Sequence, residues 1–155
     1  MSRSEEVATR INNLIIYGLQ KALWDALGEG AIAATALIGK ELLEIMENDM
    51  GLKISGEQAQ DMLNNIAGLL TNEFRMADSV QIEQQGDNKV VVNIKGCMSL
   101  PVEERLTAAG IKPFVCPFAN IATAAMRKLL NVKTRITSLE ISGNQCKITF
   151  ETYEE

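Results

Sequence analysis

Apolar residues recur every three or four positions through the first half of the chain, which is the spacing of amphipathic helices. The first such stretch follows Ser2 and Glu5, whose spacing fits a capping box, and it is predicted to end near Gly28. A second helix is predicted over 29–51, and a third opens at Ser55 with Gln58. Three helices are therefore expected before any strand.

The hydrophobic period falls to two after Met76, which predicts strands. One hairpin is expected over 79–95, with its turn at 86–88, and a second over 134–152 around Gly143. Between them, Pro101 and Pro117 each suit the first position of a helix. We therefore predict one α+β domain over residues 1–155, with a four-stranded antiparallel sheet covered by helices on one face.

The first helix carries more apolar surface than one face can bury inside a monomer. The residues concerned are Ile11, Ile15, Ile16, Leu19 and Leu23. This excess predicts a homodimer with the N-terminal helices at its interface. A run of small residues in the second helix allows close helix approach, either within the core or across that interface. The run is Ala31, Ala33, Ala34, Ala36 and Gly39.

The charge balance argues against two classes of partner. The net charge of −5 and the pI near 4.9 disfavour binding to nucleic acid or to anionic lipid. The polar N-terminus does not fit a secretory signal, and the longest apolar stretch is too short to span a bilayer. We expect a cytoplasmic protein. The acidic pairs Glu103-Glu104 and Glu154-Glu155 are interpreted as solvated surface.

The chain has no histidine, and its three cysteines are Cys97, Cys116 and Cys146. Without histidine there is no imidazole base and no Cys/His nucleophile pair, so an enzyme is disfavoured. The thiols could ligate zinc, sense redox state or line a ligand pocket, or they could be small buried apolar residues. Three thiols lack the fourth ligand that zinc normally takes, unless a carboxylate, a water or a partner chain supplies it. No zinc is therefore expected.

Cys116 is the best candidate for a reactive thiol, because it precedes Pro117 at a predicted helix N-terminus, where the helix dipole lowers a thiol pKa. Burial among Phe114, Val115 and Phe118 opposes this effect. The sequence leaves both outcomes open.

Several segments together resemble the 4-vinyl reductase domain. They are Ala26 to Ala31, Gly39 to Leu42, Val90 to Ile94, Cys116 to Phe118, and the closing strands around Gly143 and Cys146. The resemblance implies the fold group of haem-nitric-oxide sensor domains and TRAPP vesicle-transport subunits. It also implies a commonly dimeric domain that binds a small molecule or hydrocarbon.

Two departures limit what the resemblance implies. The family's closing hairpin often has a cysteine on each strand, whereas here the first-strand position is assigned to Leu139, which leaves Cys146 alone. The haem-binding relatives need an axial histidine, so no haem is expected; other cofactors stay open. No nucleotide fingerprint supports reductase chemistry.

These observations predict a non-catalytic domain that binds or senses an apolar small molecule. The predicted pocket consists of Cys97, Phe114, Cys116, Phe118 and Cys146. One alternative is a structural or interaction module that forms a homodimer. A further alternative, implied by the resemblance alone, is an accessory factor in tetrapyrrole metabolism.

Overall fold

The computed structural model describes residues 2–153, so the Glu154-Glu155 pair lies outside the described residues. Helix α1 spans Arg3–Leu27. At its start the Ser2 hydroxyl accepts the Glu5 N–H at 3.3 Å, and the Glu5 carboxylate accepts the Ser2 N–H at 2.5 Å. The predicted capping box is therefore confirmed. The helix ends where Gly28 takes a φ of 58°, which glycine adopts at little cost.

Two predicted helix starts are wrong. Residues Gly28–Ala33 form a 3₁₀ helix, and α2 runs only over Ala34–Asn48. Helix α3 spans Ala59–Gly68, and a π-helical turn continues it over Leu69–Glu73. Ser55 does not cap α3, because its own N–H donates to the Asn65 side chain at 2.9 Å and holds the preceding segment alongside the helix.

The two hairpins form one antiparallel sheet, as the alternation predicts. Strands β1 and β2 span Ser79–Gln84 and Lys89–Lys95, and β3 and β4 span Lys133–Ser142 and Gln145–Tyr153. Their order in the sheet is β1-β2-β4-β3, so the two hairpins meet at β2 and β4. Helices α4 (Leu100–Ala108) and α5 (Pro117–Leu130) connect the hairpins. The α+β fold class is confirmed.

The main core lies between the sheet and helices α2, α3 and α5. The large side chains at its centre are fully buried, namely Met62, Leu63, Ile66, Met126, Ile148 and Phe150. Helix α2 approaches α5 so closely that a Cβ on Gly39 would overlap the backbone of Asn120. At Gly39, the small-residue run therefore serves packing within the chain.

Helix α1 lies beside α4 and packs through a second, smaller core. In that core Ile16, Tyr17 and Trp24 contact a buried cluster on and after α4. The opposite side of α1 is apolar and open. Seven large side chains there are 40–60% exposed, namely Val7, Ile11, Leu14, Ile15, Leu19, Leu23 and Leu27. We call these seven residues the α1 stripe.

Candidate functional site

A carboxylate lies in the protein interior where α4 faces the main core. Glu103, on the first turn of α4, is 1% exposed, although the sequence pattern places it on the surface with Glu104. Neither of its carboxylate oxygens receives a well-aligned hydrogen bond. The surface interpretation of Glu103 is wrong, because it shares a helix face with the buried Leu100 and Leu106.

Two thiols lie close enough to this carboxylate to affect its pKa. Cys116, the residue before α5, and Cys146, on β4, are both buried, and their side chains lower the pKa of Glu103 in part. Cys146 pairs with Ile94 on β2 and with Ile141 on β3. Leu139 pairs instead with Ile148, so Ile141 is the residue opposite the Cys146 thiol across the closing hairpin.

The third thiol follows β2 directly. Cys97 is half-buried, and the Leu100 N–H donates to its backbone carbonyl at 3.1 Å. Polar groups of Ser99 and Leu100 partly oppose the increase that burial causes in the pKa of the Cys97 thiol. Gly96 makes the turn into this loop with a φ of 67°, and a Cβ there would overlap the Asp78 carboxylate. We call Cys97, Glu103, Cys116 and Cys146 the thiol-carboxylate cluster.

Buried amide side chains hold the segment that carries Cys116. The Gln20 side-chain oxygen accepts the backbone N–H groups of Phe114 and Val115 at 3.0 and 3.1 Å. From the other side, the Asn120 amide donates to the Phe114 carbonyl at 3.0 Å. Both amides are completely buried. The Cys116 thiol is therefore held by α1 and α5 together.

The pKa values in the cluster all move toward the neutral forms. Burial raises the pKa of Glu103, and the Cys116 and Cys146 thiols lower it in part. Burial is also the main cause that raises the pKa of each thiol, and the Glu103 charge adds to it. For Cys116 the increase is large. The helix dipole therefore does not activate the Cys116 thiol. The sequence left open whether the dipole or burial has the larger effect on its pKa, and burial has the larger effect.

As the side chains stand, no group of three or more Cys, Asp or Glu residues within 2–153 is arranged to hold a metal ion. Three of the predicted pocket residues, Cys97, Cys116 and Phe118, line one cavity of about 20 Å³. That volume is enough for about one water molecule. Phe114 and Cys146 are buried and do not line it.

A much larger groove lies elsewhere, between α2, α5 and the outer end of the β3-β4 hairpin. Its volume is about 680 Å³. Apolar side chains from all three elements line it, namely Ala36, Leu37, Leu43, Ala124, Val132 and Tyr153. Four basic residues and one acidic residue also line it, namely Lys40, Arg127, Lys128, Lys133 and Glu44. We call this the α2-α5 groove.

Comparison with known proteins identifies the family. Residues 12–153 match the family described as the putative rubredoxin C-terminal domain. The chain is also 31% identical to the uncharacterised protein MJ0312 of Methanocaldococcus jannaschii, over 92% of this chain and 77% of that protein. The chain belongs to the putative rubredoxin C-terminal domain family.

One solved structure shares the fold of this family member. A trafficking protein particle complex subunit 3 from Naegleria fowleri, covalently bound to palmitic acid, aligns with a TM-score of 0.58 and 11% identity, over 96% of this chain and 97% of that one. An Fe(II) unliganded mutant H-NOX protein from K. algicida aligns with a TM-score of 0.48 and 15% identity, over 88% and 70%. Assignment to the 4-vinyl reductase domain stays a prediction.

Sequence reasoning missed two features of this family member. Glu103 interrupts an apolar helix face at the spacing Leu100, Glu103 and Leu106, and that interruption is the signal that marks it. The α2-α5 groove has no comparable signal, because it depends on how two helices cross beside a distant hairpin. No helix within residues 2–153 is long and apolar enough to cross a bilayer.

Proposed function

We propose that this protein is a non-catalytic binding domain for a small molecule with an apolar chain and an anionic head, held in the α2-α5 groove. The observation that carries the proposal is a groove of about 680 Å³ with an apolar lining and a basic rim. Binding sites for small molecules commonly have volumes of about 300–1,000 Å³ and combine apolar walls with a few polar groups.

The charge of the rim indicates the chemistry of the head group. Four of the five charged residues that line the groove are basic, although the whole chain has a net charge of −5. The Lys40 Nζ lies 3.9 Å from the Glu44 Oε1. The Lys128 Nζ lies 2.5 Å from the Oε2 of Glu47, a residue that does not line the groove. The basic side chains at the rim can donate charge-assisted hydrogen bonds to an anionic head group, which a neutral ligand would receive less strongly.

Thr134 also lines the groove. Its hydroxyl oxygen is buried and has no hydrogen-bond partner among residues 2–153, so the side chain would have to rotate to donate to a ligand oxygen. The lining residues include no cysteine, so a thioester link to the ligand has no attachment point there. The palmitic acid on the N. fowleri subunit is compatible with an acyl chain as ligand in this fold.

The thiol site predicted from the sequence remains a separate hypothesis. Its cavity of about 20 Å³ has no room for a hydrocarbon chain, so binding there would require the core around Phe118 to open. The α2-α5 groove needs no such opening.

Dodecanoate and dodecanol are suitable probes, because they share the chain and differ in the charge of the head. Titration calorimetry should show saturable binding of about one dodecanoate per chain and weaker binding of dodecanol. Ala36→Trp fills the groove and should abolish the binding of both probes. Ala33→Trp, at an exposed position outside the groove, should leave the binding of both probes unchanged. Equal binding by Ala36→Trp and the wild type would refute the groove as the site.

A charge variant tests the contribution of the ligand's head group to binding separately from that of its apolar chain. Lys40→Glu should weaken dodecanoate binding by about tenfold and leave dodecanol binding within about twofold, since one lost pair contributes about 1.4 kcal/mol. Lys53→Glu changes the same charge at an exposed position outside the groove and should leave both unchanged. An equal effect of the two variants would contradict the proposed role of the rim.

The α1 stripe supports a second function, homodimerisation. Its residues extend from Val7 to Leu27 along a helix of 25 residues, which is about 37 Å long. Contiguous apolar surfaces of this extent mark interaction sites. We propose that the stripe packs against the same stripe of a second copy, because a two-fold axis brings one apolar patch against itself.

A further inference from the structure

We infer that a cleft between α1 and α4 binds a phosphate dianion, either free or at the end of a small phosphate monoester. The cleft has a volume of about 220 Å³ and is lined by Arg10, Asn13, Leu14, Tyr17, Pro101, Val102 and Arg105. We call it the α1-α4 cleft. It shares no lining residue with the α2-α5 groove, so this inference goes beyond the proposed function.

Helix periodicity brings the lining side chains together. On α1, Arg10, Asn13 and Tyr17 follow the spacing of three and four positions that places residues on one face of a helix. On α4, Pro101 and Arg105 are four positions apart and line the cleft from the other side. The two arginines therefore come from different helices and meet at one cavity.

The charged residues of the two helices are separated by face. The acidic residues of α1 and α4 are Glu5, Glu6, Asp25, Glu103 and Glu104. None of the five lines the cleft, where both charged residues are arginines, although the whole chain has a net charge of −5. Two guanidinium groups can donate charge-assisted hydrogen bonds to one anion from two sides.

Tyr17 holds the Arg105 side chain in place. The Arg105 Cζ lies 5.7 Å from the centroid of the Tyr17 ring, which is within the range of a cation–π contact. This contact uses the face of the guanidinium, so the N–H groups at its edge stay available for a bidentate contact with an anion. Among residues 2–153, no carboxylate forms an ion pair with Arg10 or Arg105. A phosphate therefore displaces no described carboxylate from either arginine.

The Asn13 side chain links the two walls of the cleft. Its amide nitrogen donates to the Met98 carbonyl at 3.0 Å, and Met98 lies two residues before α4. The amide has a second N–H, which can donate to a ligand oxygen. Val102, also part of the lining, is 3% exposed. The cleft is therefore held by contacts within the chain, and a ligand does not have to order its walls.

The size of the cleft limits the ligand. Its volume of about 220 Å³ is below the range of about 300–1,000 Å³ that is typical of sites for drug-sized molecules. A phosphate group with a short organic part fits such a volume. Two guanidinium groups match the two charges of a phosphate dianion, whereas a carboxylate has one charge.

One wall of the cleft borders the proposed dimer interface, because Leu14 belongs to the α1 stripe. A carboxylate of a second copy is therefore the competing occupant. In that case phosphate would bind to the monomeric variant Ile15→Glu but not to the wild type, and this result would overturn the inference. We expect phosphate to bind to both proteins.

The full chain should be titrated at about pH 8, where phosphate monoesters are dianions, with NMR detection of the backbone amides. Inorganic phosphate and glycerol phosphate are the probes, and both should cause saturable shifts at Asn13, Tyr17 and Arg105. Tighter binding of glycerol phosphate would identify a monoester as the ligand, and equal or tighter binding of inorganic phosphate would identify the free ion. Absence of saturable shifts with both probes would overturn the inference.

Acetate tests the charge of the ligand. It should bind more weakly than inorganic phosphate by about tenfold or more, because it offers one negative charge to the two guanidinium groups. Acetate that binds as tightly as phosphate would contradict a site for a dianion.

Matched variants locate the binding site. Arg10→Gln and Arg105→Gln should each weaken phosphate binding by about tenfold, because each removes charge-assisted hydrogen bonds. Arg3→Gln, at an exposed position of α1 outside the cleft, should leave the affinity unchanged. Lys40→Glu, in the α2-α5 groove, should also leave it unchanged, which separates the two sites. Equal phosphate affinities of Arg105→Gln and Arg3→Gln would overturn the assignment of the cleft.

Discussion

The side-chain oxygen of Gln20, in the middle of α1, accepts the backbone N–H of Phe114 at 3.0 Å across 94 positions of sequence. The same oxygen accepts the N–H of Val115. This contact joins the helix that carries the α1 stripe to the segment that carries Cys116. The helix of the proposed dimer interface and the segment before α5 are therefore linked through one buried amide.

Gln20→Ala should destabilise the protein by about 2–4 kcal/mol, because it leaves two backbone N–H groups without their acceptor and opens a small cavity. Urea unfolding followed by circular dichroism measures the change. Asn12→Ala, at an exposed position of the same helix, should change stability by less than about 0.5 kcal/mol. Similar effects of both variants would show that the amide has no structural role.

Glu103 should make the stability of the protein depend on pH. Burial raises its folded pKa above the ordinary value of 4.5, so between these two values the folded protein keeps a proton that the unfolded chain has released. The contribution of Glu103 to stability is therefore greatest below about pH 4.5 and falls as the pH rises to the folded pKa, by about 1.4 kcal/mol for every pH unit between the two values.

The check compares the urea midpoints of the wild type and Glu103→Gln from acid to neutral pH. The variant should lack this loss and be the more stable protein at neutral pH, while Glu104→Gln should follow the wild type. A wild type that is no less stable than Glu103→Gln at neutral pH would argue against a buried, uncompensated carboxylate.

The three thiols should differ in reactivity. Cys97 is half-buried, whereas Cys116 and Cys146 are buried, and burial raises all three pKa values. Iodoacetamide should therefore label Cys97 first in the native protein and reach the other two thiols only on unfolding. Peptide mapping measures the order. Fast labelling of Cys116 would restore the reactive-thiol hypothesis.

Ile15→Glu should convert the proposed dimer to a monomer, because it places a charge in the α1 stripe, where Ile15 is 55% exposed. Sedimentation velocity at micromolar concentration measures the change. Ile45→Glu, at a residue of α2 that is 47% exposed, is the matched control and should leave the dimer intact. A wild type that sediments as a 17.0 kDa species would refute the dimer itself.

Local signals explain which parts of the fold could be predicted. The capping box at Ser2 and the alternation in both hairpins depend on neighbouring residues, and both were predictable. The start of α3 was not, because the Ser55 N–H bonds to a side chain ten positions away. The division of the helix over 29–51 into a 3₁₀ helix and α2 was missed as well.

The candidate sites depend on contacts that sequence spacing does not reveal. The three cysteines were recognised, but Glu103 was not placed beside them, because the adjacent Glu104 made the pair resemble a solvated surface. The α2-α5 groove is formed by segments as distant as Leu37 and Tyr153. Treatment of residues 1–155 as one domain and the cytoplasmic location stay predictions.

Native mass spectrometry of the freshly purified, full chain is the decisive measurement for ligand binding in the groove, because it reports bound small molecules and the number of chains together. We predict two 17.0 kDa chains with one small molecule per chain, and the loss of that molecule in Ala36→Trp but not in Ala33→Trp. Wild-type protein that carries no small molecule, and that acquires none when dodecanoate is added, would contradict it.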